Sequence, residues 1–348
     1  MLHIAFLNVG QGDTIVVCNP QTSEAIVVDC LNPLAALDLL QCEKVHRVRA
    51  VVITHLHVDH YDGLVRFLKG CQSRGIDWDA VYFYWISQVK QLKRLLDDDD
   101  GHSQAIEDNP ILWQKKKMRT YQTLRSWARE PGNEDRVRSP DLLDEVNSPG
   151  IILERLHPVY AKIGHLETFG LNNVSVVLRV SSGGSSALLT GDLEPDGWDV
   201  LMESIPDLSS DVLKFPHHGA WKRDDVDALL DQVRPEIVIM SVGTVGHQYD
   251  HPNSHVFDAL KRRVEIEVLC TQATKKCTPE PDKVQDRVLF LLAGIENKFT
   301  GVATNKGCHC ASTVIVELDD RAQIIHPPRD AHFHITECFP SAQCRKSA

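Results

Sequence analysis

Apolar residues fall in short blocks through the first third of the chain, each closed by turn residues. HIAFLNV and TIVVCN flank GQGD, EAIVVDC follows the turn NPQTS, and NPLAALDLLQC, apolar at helical spacing, separates them from VRAVVITH. The pattern predicts three strands, a short helix and a fourth, buried strand. YDGLVRFLKG then predicts a helix ending at Gly70, and AVYFYW an aromatic strand.

Between about residues 87 and 149 the pattern turns charged and helical, with the acidic run Asp97–Asp100, and is expected to be an insertion. Strand patterns resume at IILERLH, and the order of the first third recurs: NNVSVVLRV, the turn SSGGSS, ALLTGD, a helix in DGWDVLMESI, and DVLKFPHHG. In both stretches a strand pair ends in an aspartate (Asp29, Asp192), a helix follows, and the next strand ends in histidines (His55, His217). Two such ββαβ halves are expected to stack sheet on sheet with helices outside, a four-layer αββα sandwich of the α/β class. Loops at the strand ends of both halves would then face one another across the join.

One of those loops, THLHVDH at residues 54–60, concentrates metal-seeking side chains. His55 and His57, two apart in an extended loop, can turn both rings to one ion, while Asp59 and His60 can reach a second ion nearby. Two ions about 3.5–4 Å apart activate water and neutralise the oxygens of a hydrolysed ester. Imidazole and carboxylate donors without thiolate suit zinc, manganese or iron(II).

Composition narrows the setting. The 348-residue chain is 43% hydrophobic and has no apolar stretch of the ~20 residues a membrane span needs, and its first residues lack the basic and apolar regions of a secretory leader. A cytoplasmic protein with reduced cysteines is expected. The formal charge of −11 excludes a general nucleic-acid coat, so an anionic substrate must meet a local basic patch.

The segments LNVGQGDTIVV, VVDC, VVITHLHVDHYDGL, NNVSVVLRV, ALLTGDLE, DVLKFPHHGA, VIMSVG and HPNSHVFDAL occur in the order seen in metallo-β-lactamase-fold hydrolases, and the set resembles the hydrolase (nuclease) domain of the ComEC DNA-uptake family. The resemblance covers roughly residues 1–85 and 150–275 and lacks that family's membrane channel. It implies that His55 and His57 hold one metal, that Asp59 and His60 hold the other, that Asp192 bridges them, and that His218 adds a ligand while His217 faces the substrate. It further implies that Asp29 orients ligands rather than binding metal, and that His251 donates a proton or binds phosphate, with His247 and His255 as nearby alternatives. Where many such enzymes place another ligand histidine, this chain has Asn172, Asn173 and Ser175, as the ComEC-like pattern does. Asn173 is expected to support the site, and His157 or His165 to fill the missing position.

The expected organisation is a hydrolase domain over residues 1–275 and a C-terminal extension over 276–348 packed upon it. Within the insertion, residues 111–129 hold no acid but carry Lys115, Lys116, Lys117, Arg119, Arg125 and Arg129. Met118, Tyr121, Leu124 and Ala128 follow helical spacing, predicting an amphipathic helix with basic flanks that either guides a phosphate backbone or is simply solvated, with Trp113 and Trp127 stacking on bases or packing inward. In the extension and just before it, Cys270, Cys277, Cys308 and Cys310 are candidates for a structural zinc site. These readings lead to a hydrolase with two divalent ions, zinc or manganese, cleaving DNA phosphodiesters; the alternatives are a hydrolase of a small phosphoester, ester or lactone, and a regulatory subunit with a structural metal. A nuclease free in the cytoplasm would endanger its own cell, so a partner protein controlling activity is also expected.

Overall fold

β-Branched runs bounded by Gly, Asn and Pro form the first sheet. Strands β1 (Leu2–Phe6), β2 (Ile15–Asn19) and β3 (Glu24–Val28) pair antiparallel in succession. Helix α1 (Pro33–Cys42) starts where the Asn32 side chain accepts the Ala35 N–H and Pro33 takes the first turn, and it returns the chain to β4 (Arg47–Val52), parallel to β3. Helices α2 (Val58–Tyr61) and α3 (Leu64–Ser73) lead to β5 (Asp77–Tyr82), parallel to β4. The computed structural model describes residues 1–85, 110–146, 148–158, 170–244, 251–293, 307–342 and 344. The acidic run Asp97–Asp100, His165 and His247 lie outside them.

The inserted helix α4 (Pro110–Ala128) and the short strand β6 (Val137–Arg138), parallel to β5, complete the first half. In the second, β7 (Ile152–His157), β8 (Val177–Ser182) and β9 (Ser185–Leu189) are antiparallel, and α5 (Pro195–Ser204) crosses to β10 (Val212–Lys214), parallel to β9. The expected duplication is therefore present as antiparallel pair, helix and parallel strand, once as β2-β3-α1-β4 and once as β8-β9-α5-β10. Helix α6 (Val226–Val233), β11 (Ile237–Met240), α7 (Ser254–Arg262) and β12 (Glu267–Cys270) extend the second sheet in parallel.

After α8 (Pro281–Ala293), strands β13 (Val314–Leu318) and β14 (Ala322–His326) cross back, and α9 (Arg329–Thr336) follows. β13 lies antiparallel to β1 with Leu318 opposite Leu2, so part of the C-terminal extension is built into the first sheet. The strand orders are β14-β13-β1-β2-β3-β4-β5-β6 and β12-β11-β10-β9-β8-β7.

Three apolar layers hold the sandwich. Leu2, Ile4, Phe6 and Val52 meet Leu178, Val180, Leu189 and Ile239 between the sheets. Leu40, Leu64, Phe67, Leu124 and Trp127 seal the first sheet under its helices, and Trp198, Leu230, Phe257, Val288 and Ile335 seal the second. The two outer layers and the shared middle one make the αββα architecture. No helix among the described residues is long and apolar enough to cross a membrane. The residues just past β3, β4, β9 and β10 all emerge at one end of the sandwich, and the candidate site is there.

Candidate metal centre

The first half supplies a loop fixed by a buried carboxylate. Asp29, at φ 56°, turns its side chain under the end of β4, where it accepts Thr54 N–H and Thr54 Oγ1–H, both at 2.8 Å, and pairs with His60 Nδ1 at 2.7 Å. With Nδ1 so engaged, His60 presents Nε2 to the join. Thr54 Oγ1 and Ser175 Oγ hold His55 Nδ1 at 3.1 and 3.3 Å, so that His55 Nε2 faces His57 Nδ1 at 3.0 Å. Gly12, at φ 122°, lets the GQGD turn lie against this loop, since a Cβ there would come within 2.4 Å of the Asp59 carbonyl oxygen.

The second half answers from β9 and β10. Asp192 follows β9, and its N–H donates to Ser175 Oγ at 3.2 Å. In the turn after β10, His217 and His218 both take left-handed backbone angles, with φ 47° and 53°. Such conformations cost about 1–3 kcal/mol each and persist where the surroundings impose them. Gly219 continues the turn at φ 82°, packed so closely on Pro252 that a Cβ would sit 2.4 Å from its ring. The result aims His218 Nδ1 at the Ser241 carbonyl (2.7 Å) and His217 Nδ1 at Glu194 (3.3 Å), which leaves both Nε2 atoms facing Asp192.

The donors converge at distances an ion would set. His60 Nε2 and His218 Nε2 lie 3.2 and 3.3 Å from Asp192 Oδ2, and Asp59 Oδ2 lies 3.8 and 3.7 Å from the same two nitrogens. Ligands held about 2.0–2.1 Å from a tetrahedral zinc are roughly 3.3 Å apart, so His60, His218 and Asp192 fit a divalent ion in chemistry and in spacing, with Asp59 standing slightly farther off. All are buried.

Two further members were not foreseen in the sequence, where they stood as a turn residue and a strand residue. Lys214, at the end of β10 and inaccessible to solvent, bonds the Gly191 carbonyl at 2.8 Å and lies 2.5 Å from Asp13 Oδ2 and 3.4 Å from Asp192 Oδ1. Asp13, from the GQGD turn, belongs with His60, Asp192 and His218 to a set of donors within 4.8 Å of one another. A carboxylate closing a glycine turn and a lysine inside the apolar VLKF were the available signals.

Electrostatics keep the histidines in different states. Burial, followed by His60 and His57, holds His55 neutral, well below the ordinary imidazole range. Burial opposes a charge on His218 too, but Asp192 outweighs it and lifts His218 to about 9. For Asp192 burial is overridden by His218, His60 and Lys214, which hold it well below the usual carboxylate range. Glu194, despite burial, is brought down to about 2 by hydrogen bonds with His217 and Lys222.

The other expected residues divide. Asn173 accepts Gly197 N–H at 2.7 Å and so anchors the start of α5, while His157 Nε2 is spent on the Asn173 carbonyl at 3.0 Å. His251 lies beside His217, ring centres 5.8 Å apart, and His255 is the second residue of α7. Lys115, Lys116, Arg119 and Arg125 on α4 and Arg129 just past its end are exposed, but Lys117 is buried with Trp113, Tyr121, Leu124 and Trp127, because it falls on the seam the helix turns inward. Lys117 thus leaves the basic face, and the two tryptophans pack inward. Cys270, Cys277, Cys308 and Cys310 are all buried in the second outer layer.

Fold and centre are those of a metallo-β-lactamase-fold domain, and the model described as the metallo-beta-lactamase superfamily matches residues 7–75. More particularly, the chain resembles ComEC-family proteins. ComE operon protein 3 of Bacillus subtilis is 40% identical over 100 residues, 29% of this chain and 12% of that protein. Recombination protein 2 of Haemophilus influenzae is 35% identical over 91 residues, 26% of this chain and 11% of that protein. The matched stretch thus spans about a tenth of the length of these relatives. Among solved structures, the metallo-beta-lactamase fold protein YhfI from Bacillus subtilis aligns with a TM-score of 0.43 and 12% identity, over 78% of this chain and 96% of its own.

Proposed function

We propose that this chain is a metal-dependent phosphodiesterase that cleaves DNA. The observation that carries the reading is the common aim of His60, His217 and His218, each held through Nδ1 by a protein group so that Nε2 turns to Asp192 at the join, with His55 held likewise and its Nε2 facing His57. His55 and His57 would hold one divalent ion, zinc or manganese, and Asp59, His60 and His218 a second, with Asp192 between them. Bound there, the ions supply an activated water and neutralise phosphate oxygens. The chain's own groups do the rest. Asp13 and Lys214 fix the charge and position of Asp192 from behind. His217, backed by Glu194, would present Nε2 to a phosphoryl oxygen, and His251, its neighbour, would give a proton to the leaving oxygen.

Choice of DNA rests on α4 and on the relatives. Thr120 on α4 donates to Asp62, two residues beyond His60, at 3.0 Å, and Trp127 near its other end packs on Trp78 at the start of β5. The N-terminal half of the helix, with Lys115, Lys116 and Arg119 exposed, therefore lies on the site's side, a basic surface on an acidic chain. A relative named for recombination is consistent with a DNA substrate.

The test is incubation of purified protein with linear and circular, single- and double-stranded DNA in Mn²⁺, Zn²⁺ or Mg²⁺, beside Asp192→Ala. Cleavage abolished by the substitution is expected. No cleavage in any metal, with ions still bound, would overturn the DNA assignment in favour of a small phosphoester, the reading to which the net charge of −11 lends itself.

A further inference from the structure

At the far edge of the second sheet, side chains of a different chemistry converge. Cys270 ends β12, Cys310 lies on the returning segment that bridges to it, His332 is on α9, and Cys344 is near the chain's end. Backbone bonds from Ala311 N to Cys270 O (2.8 Å) and from Cys310 N to Thr271 O (3.2 Å) fix the first two side by side. Cys310 Sγ is 3.6 Å from His332 Nε2 and 3.9 Å from Cys344 Sγ, and the three donor atoms all lie within 4.8 Å of one another. The Cys270 side chain, set next to Cys310 by the paired backbone, lies outside that trio. All four residues are buried.

Two ordinary explanations fit poorly. A disulfide needs its sulfurs about 2.05 Å apart, and these cysteines are free thiols. A thiol packed as a small apolar group needs no imidazole nitrogen among its neighbours, yet His332 turns Nε2 onto Cys310. Around a tetrahedral zinc, with Zn–S about 2.3 Å and Zn–N about 2.0–2.1 Å, sulfurs lie roughly 3.8 Å apart and sulfur and nitrogen roughly 3.5 Å apart, close to the spacing seen.

We propose that Cys310, Cys344 and His332 bind a structural zinc ion that staples α9 and Cys344 to the edge of the second sheet, with the neighbouring Cys270 thiol drawn in as the fourth ligand. Four protein ligands leave no open position, and loading releases the three thiol protons. Of the set the sequence suggests, Cys270 and Cys310 are retained. Cys308 Sγ instead points at the His309 carbonyl (3.9 Å) and Cys277 Sγ at Thr274 Oγ1 (3.9 Å). His332 and Cys344 take their places. The site is soft and thiolate-rich, unlike the imidazole–carboxylate centre at the other location, and does not depend on what that centre hydrolyses.

The test uses the full chain, produced in cobalt-supplemented medium and purified under reducing conditions. A near-ultraviolet sulfur-to-cobalt charge-transfer band is expected, kept in Asp192→Ala and in Cys277→Ser and lost in Cys310→Ser and Cys344→Ser, with one fewer metal ion per chain. The imidazole–carboxylate centre has no thiolate with which to produce that band. Its absence from the wild-type protein would overturn the proposal whatever the variants do, and so would its survival in both Cys310→Ser and Cys344→Ser.

Discussion

Lys214 carries a cation into a place water does not reach, and what surrounds it explains why. Asp13, Asp29, Asp59 and Asp192 are all buried at the centre, and Lys214 is the one lysine among them. One lysine leaves the carboxylates in excess; without an ion the raised imidazole of His218 offsets part of it, and divalent ions bound in the proton's place would offset the remainder. Removing the lysine alone strands Asp13 and Asp192, so Lys214→Met is expected to cost about 3–5 kcal/mol, read as a fall in the urea midpoint. The double variant Asp13→Asn with Lys214→Met removes both members of the closest pair and is expected to recover part of that loss; a midpoint no higher than that of Lys214→Met would show that the Asp13 pairing is not what the lysine serves. Residues of this kind are hard to read in a sequence. His55, His57, Asp59 and His60 announce themselves as a string, and Asp192 and the histidine pair through a repeated strand ending. Asp13 and Lys214 act only through a contact between halves that no local pattern records.

At the scale of elements, periodicity carried further than chemistry. The strand and helix order of both halves was legible because each block is short, apolar and closed by turn residues. The insertion was legible as an amphipathic helix, but its charge was not, since Lys117 lies on the seam with Trp113, Tyr121 and Leu124. The place of the extension was legible only in part: VIVEL reads as a strand, and only its pairing with β1 shows which sheet it joins. The exposed charges on the site's side of α4 give a prediction. Replacing Lys115, Lys116 and Arg119 by glutamate is expected to weaken DNA binding and flatten its salt dependence by up to about three in the log–log slope, while hydrolysis of a small aryl phosphodiester is unchanged. Binding measured by fluorescence anisotropy across salt concentrations decides it, and an unaltered slope would return α4 to the role of a solvated helix.

For the whole molecule, the placement of donors on both sheets makes metal binding a matter of stability as well as chemistry. Asp59 and His60 come from the first half, Asp192 and His218 from the second, and they face each other within 3.8 Å. An ion held among them ties the two sheets across their shared apolar layer. Because the unfolded chain lacks this arrangement, each ion bound only in the folded state adds RT ln(1 + [L]/Kd), about 2.7 kcal/mol at a hundredfold excess over its dissociation constant. Urea unfolding with saturating zinc is therefore expected to show a higher midpoint than unfolding in chelator. The two proposed sites, the centre at the join and the thiol site at the β12 edge, can be separated by the same measurement. Asp192→Ala should abolish the part of the shift that comes from the centre between the sheets and keep the part from the thiol site, while Cys344→Ser should do the reverse. If Asp192→Ala left the full zinc-dependent shift in place, the join between the sheets would not be where the metal exerts its hold.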